Sequence, residues 1–217
     1  MKLKFKGILF DLDGVIADTS TYHFEAWKLL VEKYYSRMLP TSLEGKTKGV
    51  SRSQSLQVIL DYLGETVDQE TFAKYLVEKN NLYLHLLTAL TPANLLPNIG
   101  KLLKELKGKQ IKIGLASSSL NAPLILEKLQ ITSFFDIIVD PTLGEGKPAP
   151  DIFLNGAKGL GLLPSECIGI EDSKAGITAL AKAQIISIGI GESKELFQAD
   201  FLVTNTNELT YSYLKNL

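Results

Sequence analysis

Two carboxylates near the start of the sequence are the residues best suited to chemistry. Asp11 and Asp13 follow the mostly apolar run 5–10, which is typical of a short buried strand, and they precede Gly14. Side chains two residues apart on an extended segment point the same way, so both carboxylates project into one space. Two like charges this close are costly unless a cation or a shared proton relieves them. The pair indicates a metal site, proton transfer or both; the alternative is a common Asp-Gly turn.

Other polar residues occur where later strands are predicted to end. Serines fill 117–119, Asp140 and Lys147 follow further on, and 171–173 reads Glu-Asp-Ser. Each group alone is explained by turn or helix-cap chemistry. In doubly wound sheets, however, ligands bind beyond the carboxyl ends of the strands. The joint occurrence of hydroxyls, a lysine and carboxylates at these ends therefore predicts an active site along one edge of a sheet.

The elements that must position these residues alternate along the second part of the chain. Predicted strands at 111–116, 135–139, 167–170 and 185–190 follow predicted helices at 98–107, 122–129, 150–160 and 174–183. Alternation of this kind predicts a parallel sheet with helices on both faces. The run 5–10 supplies the first strand of the same sheet.

The region between the first strand and residue 98 is predicted to be helical. Its apolar spacing and stop signals indicate helices at 22–35, 51–64 and 68–90. A helical insertion beside the active edge favours a cap that closes over substrate, against an insertion without a role. The predicted fold is α/β: a doubly wound, Rossmann-like parallel-sheet core (1–17 and 94–217) with a small all-helical cap (18–93) inserted after the first strand.

Composition narrows the function classes. The chain has 217 residues and a formal net charge of -1, which gives no electrostatic reason to expect nucleic acid or an anionic membrane as partner. Cys167 is the only cysteine, so an internal disulfide is impossible, which suits a reducing compartment. No apolar stretch is long enough to span a bilayer. We expect a cytoplasmic protein, a monomer, acting on a small molecule.

The motifs together resemble the haloacid dehalogenase superfamily of aspartyl-phosphate phosphotransferases. The resemblance rests on the hexapeptide 10–15 and on Ser117, Lys147 and the pair 171–172. It implies that Asp11 is the nucleophile and Asp13 the general acid and base. It implies that Ser117 binds the transferring phosphoryl group and that Lys147 neutralises charge beside it.

A magnesium site also follows from this resemblance. Asp11 and Asp172 are expected as direct carboxylate ligands, Asp13 as a ligand through its backbone carbonyl, and Glu171 as a ligand directly or through water. One Mg2+ per site suits these oxygen donors because it prefers them and retains waters. The cation and the ammonium of Lys147 would reduce the repulsion between an attacking carboxylate and a phosphate dianion.

The helical insertion resembles, within that superfamily, the β-phosphoglucomutase family. This resemblance rests on the segment 48–52, on the stretch 18–27 with His23 and Trp27, on the pair Lys79 and Asn80, and on 147–151. It implies that His23 helps to position Asp13. It implies substrate contacts from Trp27, Lys48, Gly49, Val50, Ser51, Arg52, Ser55, Lys79, Ser118, Ser119 and Asn121. Each of these residues also has an alternative without a functional role. Lys48 and Arg52 would form a solvated basic patch at a helix start, His23 would be a partly buried structural histidine, and Lys79 would be an exposed helix lysine.

The chain departs from the pattern of that family in the distal phosphate pocket. Arg52, Ser119 and Asn121 are expected there, but Leu120 stands where the family has a lysine, and Ser118 stands at a small-residue position. The loop 142–146 is also richer in glycine. One cation fewer is expected to weaken bisphosphate binding unless Lys48 or another residue compensates.

The expected activity is interconversion of β-D-glucose 1-phosphate and D-glucose 6-phosphate. It would proceed through phospho-Asp11 and β-glucose 1,6-bisphosphate, which is both intermediate and activator. A sugar-phosphate phosphatase with the same core is the alternative, and Leu120 mildly favours it. A sugar-phosphate sensor without catalysis is opposed by the presence of Asp11, Asp13, Lys147 and Asp172, and an acidic metal pair would serve no purpose in a dehalogenase.

Overall fold

Within residues 5–217, which the computed structural model describes, six strands form one parallel sheet. They are β1 (Gly7–Phe10), β2 (Lys112–Leu115), β3 (Ile137–Ile138), β4 (Cys167–Glu171), β5 (Ile186–Ile190) and β6 (Phe201–Val203). The strand order is β3-β2-β1-β4-β5-β6, so β1 is central. The predicted doubly wound α/β fold is confirmed, with β6 as a short edge strand that the sequence pattern did not predict.

Helices connect and flank the strands. They are α1 (Ser20–Tyr35), α2 (Glu44–Thr47), α3 (Arg52–Leu63), α4 (Gln69–Leu86), α5 (Ile99–Gly108), α6 (Ala122–Lys128), α7 (Asp151–Gly159), α8 (Lys174–Lys182), α9 (Ser193–Leu196) and α10 (Tyr211–Lys215). The predicted helix 68–90 is shorter than expected, because α4 ends at Leu86 and continues as a 3-10 turn before Pro92. None of the helices in the described part of the chain combines the length and the hydropathy needed to cross a bilayer.

Alternating side chains of the strands pack into two cores, one on each face of the sheet. On β1, Ile8 and Phe10 pack with the apolar side of α5 and α6, whereas Leu9 points to the other face. There it packs with Phe153 of α7 and Leu180 of α8. Because both faces of the sheet are covered, the strands are apolar except for Lys112 at the start of β2, Ser187 within β5 and Glu171 at the end of β4.

Helices α1, α3 and α4 form a third core of their own. Trp27 and Leu30 of α1 pack against Leu56 and Ile59 of α3 and against Tyr75 of α4. Helix α3 begins with a capping box in which Ser51 and Gln54 exchange hydrogen bonds, and it ends at Gly64 in the left-handed conformation. These local signals fix where α3 starts, which places Arg52 in its first turn.

The chain leaves the sheet and returns to it at neighbouring positions. Ala17 and Leu95 form an isolated antiparallel bridge, and the Leu96 backbone N–H donates to the Ile16 carbonyl at 2.9 Å. The predicted boundaries of the cap, 17/18 and 93/94, lie next to this pair of crossing segments. We propose that the crossing is the hinge on which residues 18–93 move as a unit.

Candidate active site

Three carboxylates converge where β1 and β4 end. Asp11 follows β1, Glu171 is the last residue of β4, and Asp172 is next to it; each offers one oxygen within 4.8 Å of the others. All three residues are buried. Hard oxygen donors at this spacing fit a divalent cation such as Mg2+. The sheet topology explains the convergence, because β1 and β4 are neighbours at the point where the strand order reverses.

Lys147 joins this carboxylate cluster from the loop that precedes α7. Its Nζ lies 2.6 Å from Asp11 Oδ1 and 2.5 Å from Glu171 Oε1, and the side chain is fully buried. Burial lowers the pKa of Lys147, but the two carboxylates outweigh this, so the pKa is raised overall. Burial also raises the pKa of Asp11, and the charge of Lys147 opposes that shift. Lys147 and Asp11 therefore form a buried pair in which each group shifts the pKa of the other.

Glu171 is held on both of its oxygens. Oε1 accepts from Lys147, and Oε2 accepts from the Asp172 backbone N–H at 2.9 Å and from the backbone N–H and hydroxyl of Ser173, both at 2.8 Å. A Cβ on Gly176 would lie 1.8 Å from Oε1, so this part of α8 has room for Glu171 only because residue 176 is glycine. The carboxylate of Glu171 is thus oriented by the protein and has few positions left for another ligand.

Asp13 lies beside the carboxylate cluster but outside it. The Thr19 hydroxyl donates to Asp13 Oδ1 at 2.5 Å. Burial raises the pKa of Asp13, and the hydrogen bond from Thr19 opposes this shift only in part. A carboxyl group with a raised pKa, one hydrogen bond and access to a cavity is suited to proton transfer.

The sequence predicts no role in the site for Thr19. It occupies the N-cap position of α1, where threonine usually bonds to a backbone N–H, yet its side chain makes no capping bond. The hydroxyl is used for Asp13 instead. From the sequence, a threonine before a helix is interpreted as a cap, so this partner is visible only in the structure.

His23 and Lys79 form a second contact chain towards Asp13. Lys79 Nζ lies 2.5 Å from His23 Nδ1, the His23 ring stacks on Tyr83 at 3.8 Å, and His23 Nε2 lies 3.9 Å from Asp13 Oδ1. Burial, and then the charge of Lys79, hold the pKa of His23 well below its usual value. The neutral ring accepts at Nδ1, so the network assigns the proton to Nε2, on the side of Asp13.

Lys79 is 1% exposed, although its helix face has no strong hydrophobic pattern. Its ammonium lies 5.1 Å from the Trp27 ring and 4.8 Å from the Tyr83 ring. Burial, and then the nearby charge of Arg52, lower the pKa of Lys79 to about 7. The lysine is therefore part of the site interior and not of the exposed surface.

Replacement of Lys79 by methionine is expected to stabilise the protein near neutral pH. An unfolded lysine keeps its proton up to about pH 10.5, whereas folded Lys79 loses it above about pH 7. The unfolded state thus binds more protons between pH 7 and pH 10.5, so the free energy of unfolding rises with pH across this window. Below pH 7 the folded protein bears the full cost of burying a protonated Lys79. The difference between the folded and unfolded pKa values of Lys79 corresponds to at most about 5 kcal/mol of stability. We expect Lys79→Met to raise the free energy of unfolding by about 2–3 kcal/mol at pH 7 and less at pH 10.

Urea unfolding at pH 7, 8.5 and 10 measures this effect. Lys74→Met is the control, since Lys74 is an exposed lysine on the same helix. An equal pH slope in Lys79→Met and in the unchanged protein would show that Lys79 carries no buried charge.

The segment 48–52 brings the helical region into contact with the sheet. Lys48 Nζ lies 2.7 Å from Asp172 Oδ2, and the Ser118 hydroxyl donates to the Gly49 carbonyl at 3.2 Å. Gly49 has a φ of 75°, and a Cβ there would lie 2.1 Å from Ser173 Oγ. Only glycine allows this approach. Burial raises the pKa of Asp172 to about 7, against the charge of Lys48.

A cavity of about 320 Å³ lies between the sheet edge and the helices. Both Asp11 and Asp13 line it, as does the exposed Leu120. Most predicted substrate residues line it too: Trp27, Lys48, Gly49, Val50, Ser51, Arg52, Ser55, Lys79, Ser118 and Ser119, together with His23. The structure thus brings together at one cavity residues that are more than 100 positions apart in the sequence.

Ser117 and Asn121 are predicted site residues that do not line this cavity, and their hydrogen bonds, like those of Ser55, hold the surrounding segments in place. Ser117 is buried and accepts from the Ser119 backbone N–H at 3.1 Å, which leaves its hydroxyl proton free to donate. Asn121 donates to Asn80 Oδ1 at 2.9 Å. Ser55 donates to the carbonyls of Thr47 and Ser51, so its hydroxyl holds the 48–52 segment at the start of α3.

Comparison with known proteins agrees with this geometry. A family model described as haloacid dehalogenase-like hydrolase matches residues 5–184. The β-phosphoglucomutase of Bacillus subtilis strain 168 is 45% identical over 212 residues, which cover 96% of this chain and 93% of the relative. A crystal structure of β-phosphoglucomutase from Clostridium difficile superposes with a TM-score of 0.93 at 40% identity, over 97% of this chain and 95% of the other.

A phosphatase is among the more distant relatives. The phosphorylated carbohydrates phosphatase of Thermotoga maritima is 27% identical over 220 residues, 98% of this chain and 99% of the relative. The family model covers most of the chain, and the residues that it matches include every carboxylate of the cluster. The chain belongs to the haloacid dehalogenase-like hydrolase family, in which it is a relative of the β-phosphoglucomutases.

Proposed function

We propose that the chain is a β-phosphoglucomutase, which converts β-D-glucose 1-phosphate to D-glucose 6-phosphate through β-glucose 1,6-bisphosphate. The observation that carries the proposal is that Asp11, Asp13 and the Arg52 guanidinium all line one cavity. A mutase has to hold a sugar between a phosphoryl-transfer centre and a second phosphate site. A carboxylate pair at the sheet edge and a guanidinium from α3 supply these two functions.

Asp11 is the nucleophile in this proposal. Lys147 holds one of its oxygens, and the other attacks phosphorus, so that an Asp11 O–P bond forms while the bond between phosphorus and the sugar oxygen breaks. The Ser117 hydroxyl is placed to donate to the transferring phosphoryl group. Lys147 stabilises the charge that builds up between carboxylate and phosphate because its pKa is raised and it stays protonated.

Asp13 transfers the proton. It protonates the departing sugar oxygen and, in the second half of the cycle, removes the proton from the attacking sugar hydroxyl. Thr19 fixes the orientation of its carboxyl group, and the raised pKa keeps a proton available. His23 and Lys79 keep this side of the cavity closed and polar without a direct part in the transfer.

The carboxylates of Asp11 and Asp172 and the backbone carbonyl of Asp13 would hold one Mg2+, which would neutralise charge on the phosphate and the nucleophile. Glu171 is better placed to orient Lys147 and the 172–173 backbone than to serve as a direct ligand, because both of its oxygens are engaged. Lys48, which pairs with Asp172, also lines the cavity, so it would be available to the substrate if a cation took its place at Asp172.

The bisphosphate has to reverse its orientation inside the cavity before Asp11 accepts the other phosphoryl group. The hydrogen bond from the Ser118 hydroxyl to the Gly49 carbonyl holds segment 48–52 against the sheet and so closes the helical region, which excludes water that would hydrolyse phospho-Asp11. A sugar-phosphate phosphatase is the second candidate. It is favoured by Leu120, an exposed apolar side chain at the cavity in the position where a lysine was expected for a mutase.

Product analysis tests the proposal. The protein is incubated with Mg2+, β-glucose 1-phosphate and a trace of glucose 1,6-bisphosphate, and glucose 6-phosphate and inorganic phosphate are followed together. We expect glucose 6-phosphate to form well ahead of phosphate. Phosphate alone would identify a phosphatase and overturn the proposal, and Leu120→Lys would then be the variant to compare.

A further inference from the structure

Asn80 connects three parts of the molecule through one atom. Its Oδ1 accepts from Arg52 Nη2 at 2.7 Å and from Asn121 Nδ2 at 2.9 Å. Arg52 begins α3, Asn80 lies in α4, and Asn121 precedes α6 beside the sheet. One amide oxygen therefore ties the guanidinium both to the helical region and to the sheet edge.

The chemistry of the partners determines how Asn80 is oriented. Both neighbours present N–H groups, and only the amide oxygen can accept from both; a flipped amide would place donors against donors. Because Arg52 donates through Nη2, its rigid planar fork is fixed by one bond. Its Nε is buried and has no hydrogen-bond partner, and Arg52 lines the cavity. A guanidinium held in this way keeps its positive charge at the cavity wall and is suited to pair with an oxyanion there.

We propose that Asn80 is a positioning residue: it aims the Arg52 guanidinium at the second phosphate of the substrate and links that orientation to closure of the helical region through Asn121. The assignment of the phosphate as ligand rests on the proposed function. Asn80 itself is not among the residues that line the cavity, so it acts through Arg52.

A neutral acceptor matters for this role. A carboxylate at position 80 would hold Arg52 and Asn121 equally well, but it would cancel the positive charge that the phosphate needs. An amide orients the guanidinium and leaves its charge free. The Ser118–Gly49 hydrogen bond, also between uncharged groups, joins the same two parts of the molecule.

Two substitutions separate orientation from charge. Asn80→Ala removes both hydrogen bonds, so we expect faster backbone hydrogen exchange at 48–52 and about tenfold weaker binding of β-glucose 1,6-bisphosphate. Asn80→Asp keeps both hydrogen bonds, so we expect unchanged exchange at 48–52 and again about tenfold weaker binding. Asn121→Ala is expected to match Asn80→Ala in exchange. Asn81→Ala, at the exposed neighbouring asparagine of α4, is the control and should change neither.

Hydrogen exchange is measured without ligand, and binding is measured by calorimetry in an Asp11→Asn background, which cannot form the aspartyl phosphate. Exchange in Asn80→Ala equal to that of the unchanged protein would overturn the link to Asn121. Equal bisphosphate affinity in Asn80→Ala and its parent would overturn the positioning of Arg52. Failure of the parent to bind bisphosphate would overturn the proposed function and the phosphate assignment together, while the exchange result still decides whether Asn80 holds the helical region to the sheet.

Discussion

Asp13→Asn is expected to lower kcat by about 10³-fold and to leave Mg2+ affinity almost unchanged. The loss follows because an amide cannot give up or take a proton, whereas Asp13 has to do both in one cycle. Metal affinity is retained because the Asp13 carboxyl lies outside the Asp11, Glu171 and Asp172 cluster. The local structure is retained as well, since an asparagine oxygen still accepts from the Thr19 hydroxyl.

The leaving group distinguishes this role from a general loss of structure. The 4-nitrophenolate of 4-nitrophenyl phosphate is a leaving group that needs no proton. Asp13→Asn should therefore slow the phosphorylation of Asp11 by 4-nitrophenyl phosphate far less than its phosphorylation by the bisphosphate. Thr19→Val is the matched variant: it keeps the carboxyl group but removes its hydrogen bond, and we expect a loss of about tenfold. Rapid-mix kinetics and calorimetric Mg2+ titration measure the two properties. A similar loss with both phosphoryl donors, or a large drop in Mg2+ affinity, would contradict the assignment of Asp13 as acid and base.

The convergence of the candidate catalytic residues was predictable because it depends on where the strands end. Asp11, Ser117 and Glu171 follow apolar runs, and in a parallel sheet the carboxyl ends of all strands meet at one edge. Recognising the strands was therefore enough to predict that these residues lie close together. Lys147 was predicted to join them because it occurs in the sequence between two of these strand ends. The edge strand β6 was missed, because three residues give too short an apolar run.

Contacts between the helical region and the sheet were not predictable in the same way. Lys79 has the sequence context of an exposed helix lysine, and its burial depends on how α4 packs on α1 around Trp27 and Tyr83. Asn80 and Thr19 are common residue types at ordinary helical positions, and their partners lie far away or replace the usual cap bond. Sequence periodicity indicates which face of a helix is apolar, but not which polar group from another element it meets.

Lys147→Met is expected to reduce both activity and stability. Removing the ammonium leaves Asp11 and Glu171 buried without their common partner, which typically costs about 3–5 kcal/mol of unfolding free energy. Loss of a preorganised charge at the transferring group should lower kcat by about 10³-fold. Lys158→Met, at an exposed lysine of α7, is the control and should alter neither quantity.

The stability loss should depend on pH and on metal. The pKa of Asp11 is raised by burial even with Lys147 present, and it rises further when that positive charge is removed. A carboxyl group whose folded pKa lies above its unfolded value costs stability at high pH and recovers it as the pH falls through the folded pKa. The difference in unfolding free energy between Lys147→Met and the unchanged protein should thus shrink from pH 8 to pH 5 in EDTA. Saturating Mg2+ should reduce it at pH 8, since the cation would compensate the buried carboxylates that Lys147→Met leaves unpaired and would therefore stabilise the variant more than the unchanged protein. Urea unfolding under these three conditions checks the sign, and a difference independent of both pH and Mg2+ would mean that Lys147 acts by packing and not by compensating the buried carboxylates.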